Sequence, residues 1–143
     1  MISSIIILFI ESNLVGLFSV TLSYFIYSFF FSLKNDFIFF FIVGFLKHYL
    51  GYILGLQTWY CEVRNKRTKT KTKNTLLVKS VAKSPSLLEN IQEGIVFVAI
   101  SFLIRKFLKI KDIYFIAFLT GFILHLLAEF SGIHTIFCKN LYK

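Results

Sequence analysis

The sequence predicts an all-α membrane protein of four transmembrane helices, arranged as two parallel-repeat helical hairpins with a pseudo-two-fold axis along the membrane normal. Three observations lead to that class. Of 143 residues, 57% are hydrophobic and 19% aromatic, with one proline and only 16% charged, which is too apolar for a soluble domain of this length. The apolar residues gather into long blocks, and a hydrocarbon core of roughly 30 Å is crossed by about 20 mostly apolar helical residues. The second half of the chain also repeats the first.

Taken in order, the first span runs from Leu14 to Leu33 with nothing charged inside it, and the second from Phe37 to Tyr60, interrupted by Lys47 and His48. The third runs from Leu87 to Leu108, with Glu89 and Glu93 near its start and Arg105 and Lys106 near its end. The fourth covers Ile113 to Phe137 and carries His125, Glu129 and His134. The apolar residues Met1 to Ile10 lack the basic leader and small-residue cleavage site of a signal peptide, so they read as an extension of the first helix or an interfacial segment. Helix three is expected to begin around Ser84-Pro85-Ser86. Proline suits a first turn, and Ser86 with Glu89 has capping-box spacing.

The repeat emerges when residues 44–61 are laid over 121–138. Gly44, Phe45, His48, Leu50, Gly55, Thr58 and Cys61 fall on Gly121, Phe122, His125, Leu127, Gly132, Thr135 and Cys138. Earlier in each half, one gap brings Glu11, Gly16, Val20, Ser23 and Ile26 over Glu89, Gly94, Val98, Ser101 and Ile104. A chance match in this composition would favour Phe and Ile, whereas this one selects the rarer Gly, His and Cys. The chain therefore divides into a first two-helix repeat (1–61), a basic linker (62–83) and a second two-helix repeat (84–143). A two-helix unit returns the chain to its starting side, so the second copy enters the membrane in the same orientation.

On helix two, Gly44, His48, Gly51, Gly55 and Thr58 are spaced to share one narrow helical face, and Gly121, His125, Ala128, Gly132 and Thr135 form the same stripe on helix four. Each stripe holds a small-xxx-small pair, Gly51 with Gly55 and Ala128 with Gly132, a pattern that permits close backbone approach inside a bilayer. Helices two and four are therefore expected to pack against each other near the pseudo-axis. His48 and His125 would then face one another at mid-membrane, where an ionisable group marks a functional hypothesis. Two readings stay open. In one, the imidazoles form a shared ligand or proton site with Glu129 nearby; in the other, each makes an ordinary interhelical hydrogen bond. Close small-residue packing leaves little room for a macrocycle, and no cofactor or metal centre is expected. Glu129 has Tyr52 as its counterpart, and its candidate partners are His134 and a linker lysine.

Cys61 and Cys138 occupy equivalent positions at the ends of helices two and four. They would form a disulfide in an oxidising compartment or remain two thiols in a reducing one. The linker carries Arg64, Lys66, Arg67, Lys69, Lys71 and Lys73 and supplies much of the net charge of +9. Beside a membrane, such a run attracts anionic head groups and sets topology, placing the linker and both termini on the cytoplasmic side. Arg105, Lys106, Lys109 and Lys111 on the opposite hairpin turn weigh against that orientation. Nucleic acid is a second candidate partner of the linker, although no aromatic residue within the run could stack on bases.

The run Lys47-His48-Tyr49-Leu50-Gly51-Tyr52-Ile53-Leu54-Gly55-Leu56-Gln57-Thr58-Trp59-Tyr60-Cys61, with the Phe, Ile, Lys and Asn bias of the whole chain, resembles small multi-spanning membrane proteins of nucleocytoplasmic large DNA viruses. The resemblance covers about one helix per half. It implies a structural, non-enzymatic protein of a virion inner membrane or host endoplasmic reticulum, with capsid or other membrane proteins as partners, and it transfers no catalytic residue. The competing class is a small channel, proton-coupled transporter or cofactor carrier that uses His48 and His125, in a further oligomeric assembly. No nucleophile with its base, phosphate-binding glycine loop or metalloprotease histidine pair is present to indicate an enzyme.

Overall fold

In hydrocarbon a backbone amide has no water to bond, so an apolar segment satisfies itself as helix. The computed structural model describes residues 2–29, 35–61 and 86–141 and is helical nearly throughout. Its helices are α1 (Ile2–Phe29), α2 (Asp36–Ile53), α3 (Leu87–Leu108), α4 (Ile113–Phe130) and α5 (Ile133–Leu141), with further helical residues at 56–61. Four segments are long and apolar enough to cross a membrane: Ile5–Phe29, Asp36–Ile53, Leu87–Leu108 and Ile113–Phe130. The apolar N-terminal residues continue α1 without a break. Outward-facing Phe9, Leu17, Phe25, Phe102 and Phe107 form a surface suited to lipid rather than water. Tyr24 and Tyr27 gather around Tyr114 at one end of the bundle, and Trp59 is exposed at the other, as interfacial aromatic belts require.

The starts of α2, α3 and α4 each have a local cause. Asn35 Oδ1 accepts the Phe37 N–H at 2.9 Å to open α2, and Asp112 Oδ1 accepts the Phe115 N–H at 2.8 Å to open α4. Ser86 and Glu89 form the capping box that their spacing predicts, with bonds of 3.2 and 2.8 Å. These caps satisfy first-turn amides that no intrahelical carbonyl can reach.

The helix ends correct two sequence expectations. Helix two does not continue to Tyr60, nor helix four to Phe137, because Gly55 and Gly132 are left-handed, with φ of +69° and +74°. The Gly55 N–H turns back to the Tyr52 carbonyl at 2.9 Å, and the Gly132 N–H to the Glu129 carbonyl at 3.2 Å, stopping each helix before another begins. Gly55 and Gly132 are therefore chain-turning residues, and Thr58 and Thr135 lie beyond the break. A Cβ at either glycine would meet nothing within 4 Å, so neither belongs to a small-xxx-small contact.

Helix pairing is a further correction. The principal contacts run crosswise, α1 antiparallel on α4 and α2 antiparallel on α3, with lesser contacts between α3 and α4 and between α1 and α2; α2 and α4 hardly touch. The glycine notches are filled by other partners. A Cβ on Gly44 would lie 2.5 Å from Phe97 Cβ and 3.0 Å from the Glu93 carbonyl, both on α3. One on Gly121 would fall 2.3 Å from Ser19 Oγ and 3.0 Å from the Val15 carbonyl, both on α1. Gly16 and Gly94 are also tight: a Cβ at either would lie 2.8 Å from a ring, that of Phe118 and of Phe41 respectively. Fully buried Phe40, Val43, Phe97 and Ile116 fill the interior. The hydroxyls buried there return to their own helix: Ser19 Oγ donates to the Val15 carbonyl, Ser23 Oγ to Ser19 and Thr120 Oγ1 to Ile116, at 2.7 to 2.9 Å. Ser101 Oγ and Thr120 Oγ1 also meet across α3 and α4 at 3.0 Å.

Two ion pairs join the apolar spans α2 and α3. Lys47 Nζ lies 2.5 Å from Glu93 Oε1, with side-chain exposures of 11% and 27%, and also sits over the Phe97 ring. At the opposite end Arg105 pairs with Asp36. Lys47→Met alone would strand Glu93 and is expected to lower unfolding stability in detergent by about 3 kcal/mol, with much of the loss recovered on adding Glu93→Leu. Gly44→Ala is expected to cost about 1–3 kcal/mol by overpacking against α3. Gly51→Ala, whose Cβ meets only Gln57 at 3.9 Å, should leave the thermal midpoint nearly unchanged.

Candidate metal-binding centre

On α4, His125 and Glu129 are four residues apart and share a face. His134 is five residues beyond Glu129, which on a continuous helix would turn it about 140° away at about 100° per residue. The left-handed Gly132 removes that obstacle by swinging α5 back over the end of α4. As a result His134 Nδ1 stands 3.0 Å from Glu129 Oε1, and the His125 and His134 rings lie 4.7 Å apart. One ligand atom from each of His125, Glu129 and His134 lies within 4.8 Å of the others. All three are buried or half-buried.

Two further elements complete the surroundings. Tyr60, in the helical residues that follow Gly55, brings its hydroxyl to 3.2 Å from His134 Nδ1, with its ring edge-on to His125 at 5.6 Å. His134 Nδ1 therefore donates to the Glu129 carboxylate when protonated and accepts from the Tyr60 phenol when not. From α1, Glu11 Oε2 stands 4.0 Å from His125 Nε2. Beside this cluster Cys61 and Cys138 are joined by a disulfide with a Cα–Cα separation of 5.4 Å, tying the segment bearing Tyr60 to the helix bearing His134.

The residues that the sequence overlay matches to this cluster in the first half are a different set. His48 is the counterpart of His125, Tyr52 of Glu129 and Gln57 of His134. Gln57 Nε2 donates to the His48 carbonyl at 3.2 Å and lies 3.4 Å from His48 Nδ1. The second half thus carries a carboxylate and an extra imidazole where the first carries a phenol and an amide.

The structure distributes the sequence-derived candidates accordingly. His125 and Glu129 come together and recruit His134, whereas His48 is occupied with Gln57. The expected shared site facing His48 across to His125 is replaced by one between His125 and His134, because α2 and α4 are not a packed pair. Gly44, Gly51 and Gly121 are buried and Ala128 is half-buried, while Gly55 and Gly132 make the turns that bring Tyr60 and His134 inward. Arg64, Lys66, Arg67, Lys69, Lys71 and Lys73 lie outside the described residues. Sequence reasoning missed Tyr60 and Glu11 as members of the cluster, and missed the pairing of Lys47 with Glu93. The signal available for that last pair was the presence of opposite charges inside two apolar spans.

Comparison with protein-family models, curated proteins and solved structures finds no match to this chain.

The disulfide is directly testable. In chain isolated with free thiols blocked at lysis, Cys61 and Cys138 are expected to take up alkylating reagent only after reduction. Full labelling of both without reductant would show two thiols instead.

Proposed function

We propose that this chain is a non-enzymatic, structural integral membrane protein made of two copies of one helical hairpin. The observation that carries the reading is the matched crosswise packing. Gly16 of α1 receives Phe118 of α4, while Gly94 of α3, its sequence counterpart, receives Phe41 of α2, the counterpart of Phe118. Those two contacts, made by four residues, exchange under a two-fold operation, which supports a duplicated unit with a pseudo-axis along the membrane normal. Bulky side chains and self-satisfied hydroxyls fill the helix interfaces, the construction of a scaffold.

In this reading the charges of the basic run 64–73 attract anionic lipid head groups, a capsid-type protein or nucleic acid. The setting in a virion inner membrane rests on the resemblance of residues 47–61 alone. Two physical arguments bear on orientation and oppose each other. The lysine and arginine bias makes the linker end cytoplasmic. The disulfide sits at that same end, and an oxidised pair belongs in an oxidising compartment.

A second reading, proton or metal-ion transport, is favoured by the cluster of His125, Glu129 and His134. Reconstitution into liposomes with an internal pH indicator separates the two. The scaffold reading expects proton flux no greater than in empty liposomes under an imposed potential. Flux that disappears in His125→Gln would overturn it in favour of transport.

A further inference from the structure

We propose that His125, Glu129 and His134 form a binding site for a single divalent transition-metal ion of the zinc class, with Glu11 as an outer carboxylate. The inference goes beyond the scaffold reading and stands on the cluster itself.

Two imidazoles and one carboxylate make a donor set that suits zinc and its neighbours rather than magnesium or calcium, which prefer oxygen ligands throughout. Around zinc, ligand atoms at roughly 2.0–2.2 Å from the metal stand about 3.3–3.5 Å apart. Here the Glu129 and His134 atoms are already 3.0 Å apart, and all three donors lie within 4.8 Å.

Electrostatics favours the same ion. Glu11 and Glu129 place two carboxylates beside two imidazoles in a largely buried site, and one divalent cation balances both carboxylates at once. Metal-bound imidazoles are commonly held by an outer carboxylate, and Glu11, 4.0 Å from His125 Nε2, is the carboxylate nearest to that role. Tyr60 stands close enough to complete the coordination or to hold a bound water, and the disulfide locks the two chain ends that carry Tyr60 and His134. Metal at this site would therefore clip α4, α5 and α1 together next to the covalent bridge.

The other half of the chain supplies an internal control. His48 is retained there, but Tyr52 and Gln57 stand where the carboxylate and second imidazole would be, so the chain is expected to bind one ion rather than two. The test is titration of metal-stripped, disulfide-intact full chain in detergent with Co2+, followed by its visible absorption and displacement by Zn2+. One equivalent with a tetrahedral or five-coordinate spectrum is expected.

His134→Gln, which installs the residue the first half already carries, is expected to weaken binding by more than the roughly 10–100-fold typical of outer-shell losses. Glu11→Gln should weaken it by about 10-fold, and His48→Gln should leave it unchanged. Migration as the oxidised form on a non-reducing gel reports that each variant has folded; should His134→Gln fail that control, Glu129→Gln takes its place. Absence of stoichiometric Co2+ uptake by the parent chain would overturn the proposal. So would uptake that survives loss of both His134 and Glu129, or that depends on His48. The double variant Tyr52→Glu with Gln57→His is expected to raise the stoichiometry to two. If it stays at one while the first site behaves as described, the duplication reading fails and the metal site stands.

Discussion

The bundle depends on how closely helix backbones approach at four small residues. Lipid tails are as apolar as leucine side chains, so burying apolar surface gives little reason for two helices to meet in a bilayer, and packing contacts must supply it. Gly16, Gly44, Gly94 and Gly121 provide those contacts, since a single carbon added at any of them would lie 3.0 Å or less from atoms of the facing helix. The neighbouring hydroxyls of Ser19, Ser23 and Thr120 are small enough to enter the same interfaces, and they bond their own backbone, Thr120 also meeting Ser101 across the α3–α4 contact. The crosswise pairing of α1 with α4 and α2 with α3 follows from where bulk and notch coincide.

Polar groups are the other constraint, because in a low-dielectric surrounding an unpaired charge is expensive. Lys47 and Glu93 answer it with each other, and the hydroxyls answer it locally. The acidic and imidazole groups at the linker end answer it collectively, through chain turns at Gly55 and Gly132 that return polar residues to the ends of the helices they have just left. Those two glycines connect architecture to chemistry. The same break that limits α2 and α4 to 18 residues each also turns the chain so that Tyr60 and His134 reach His125.

In the duplication reading the halves have kept their packing and diverged in their polar residues. Glycine, cysteine and the first histidine recur, whereas Lys47 faces Leu124, Tyr52 faces Glu129 and Gln57 faces His134. Interfacial glycines tolerate no exchange because backbone stands against them. The residues around each histidine can change so long as the group introduced finds a partner. In that reading, a bundle built this way can carry the proposed site in one half without disturbing the other.

By itself the sequence determined what depends on neighbours along the chain. The apolar blocks specified four helices able to cross a membrane, and Ser86 with Glu89 specified where the third begins, because span length and capping are local properties. Which helices meet was decided only in three dimensions. Gly44 reads as the same notch whichever bulky residue fills it, and Phe97, which does, lies in the other half. The cluster was half legible: His125 and Glu129 share a face at helical spacing, but His134 is out of phase with them until Gly132 adopts a left-handed backbone. Tyr60 and Glu11 arrive from distant segments, positioned by the disulfide and by the packing of α1 on α4. Helical phase is written in the sequence, whereas a change of chain direction at one glycine, and the tertiary neighbours it creates, depend on how the whole bundle closes.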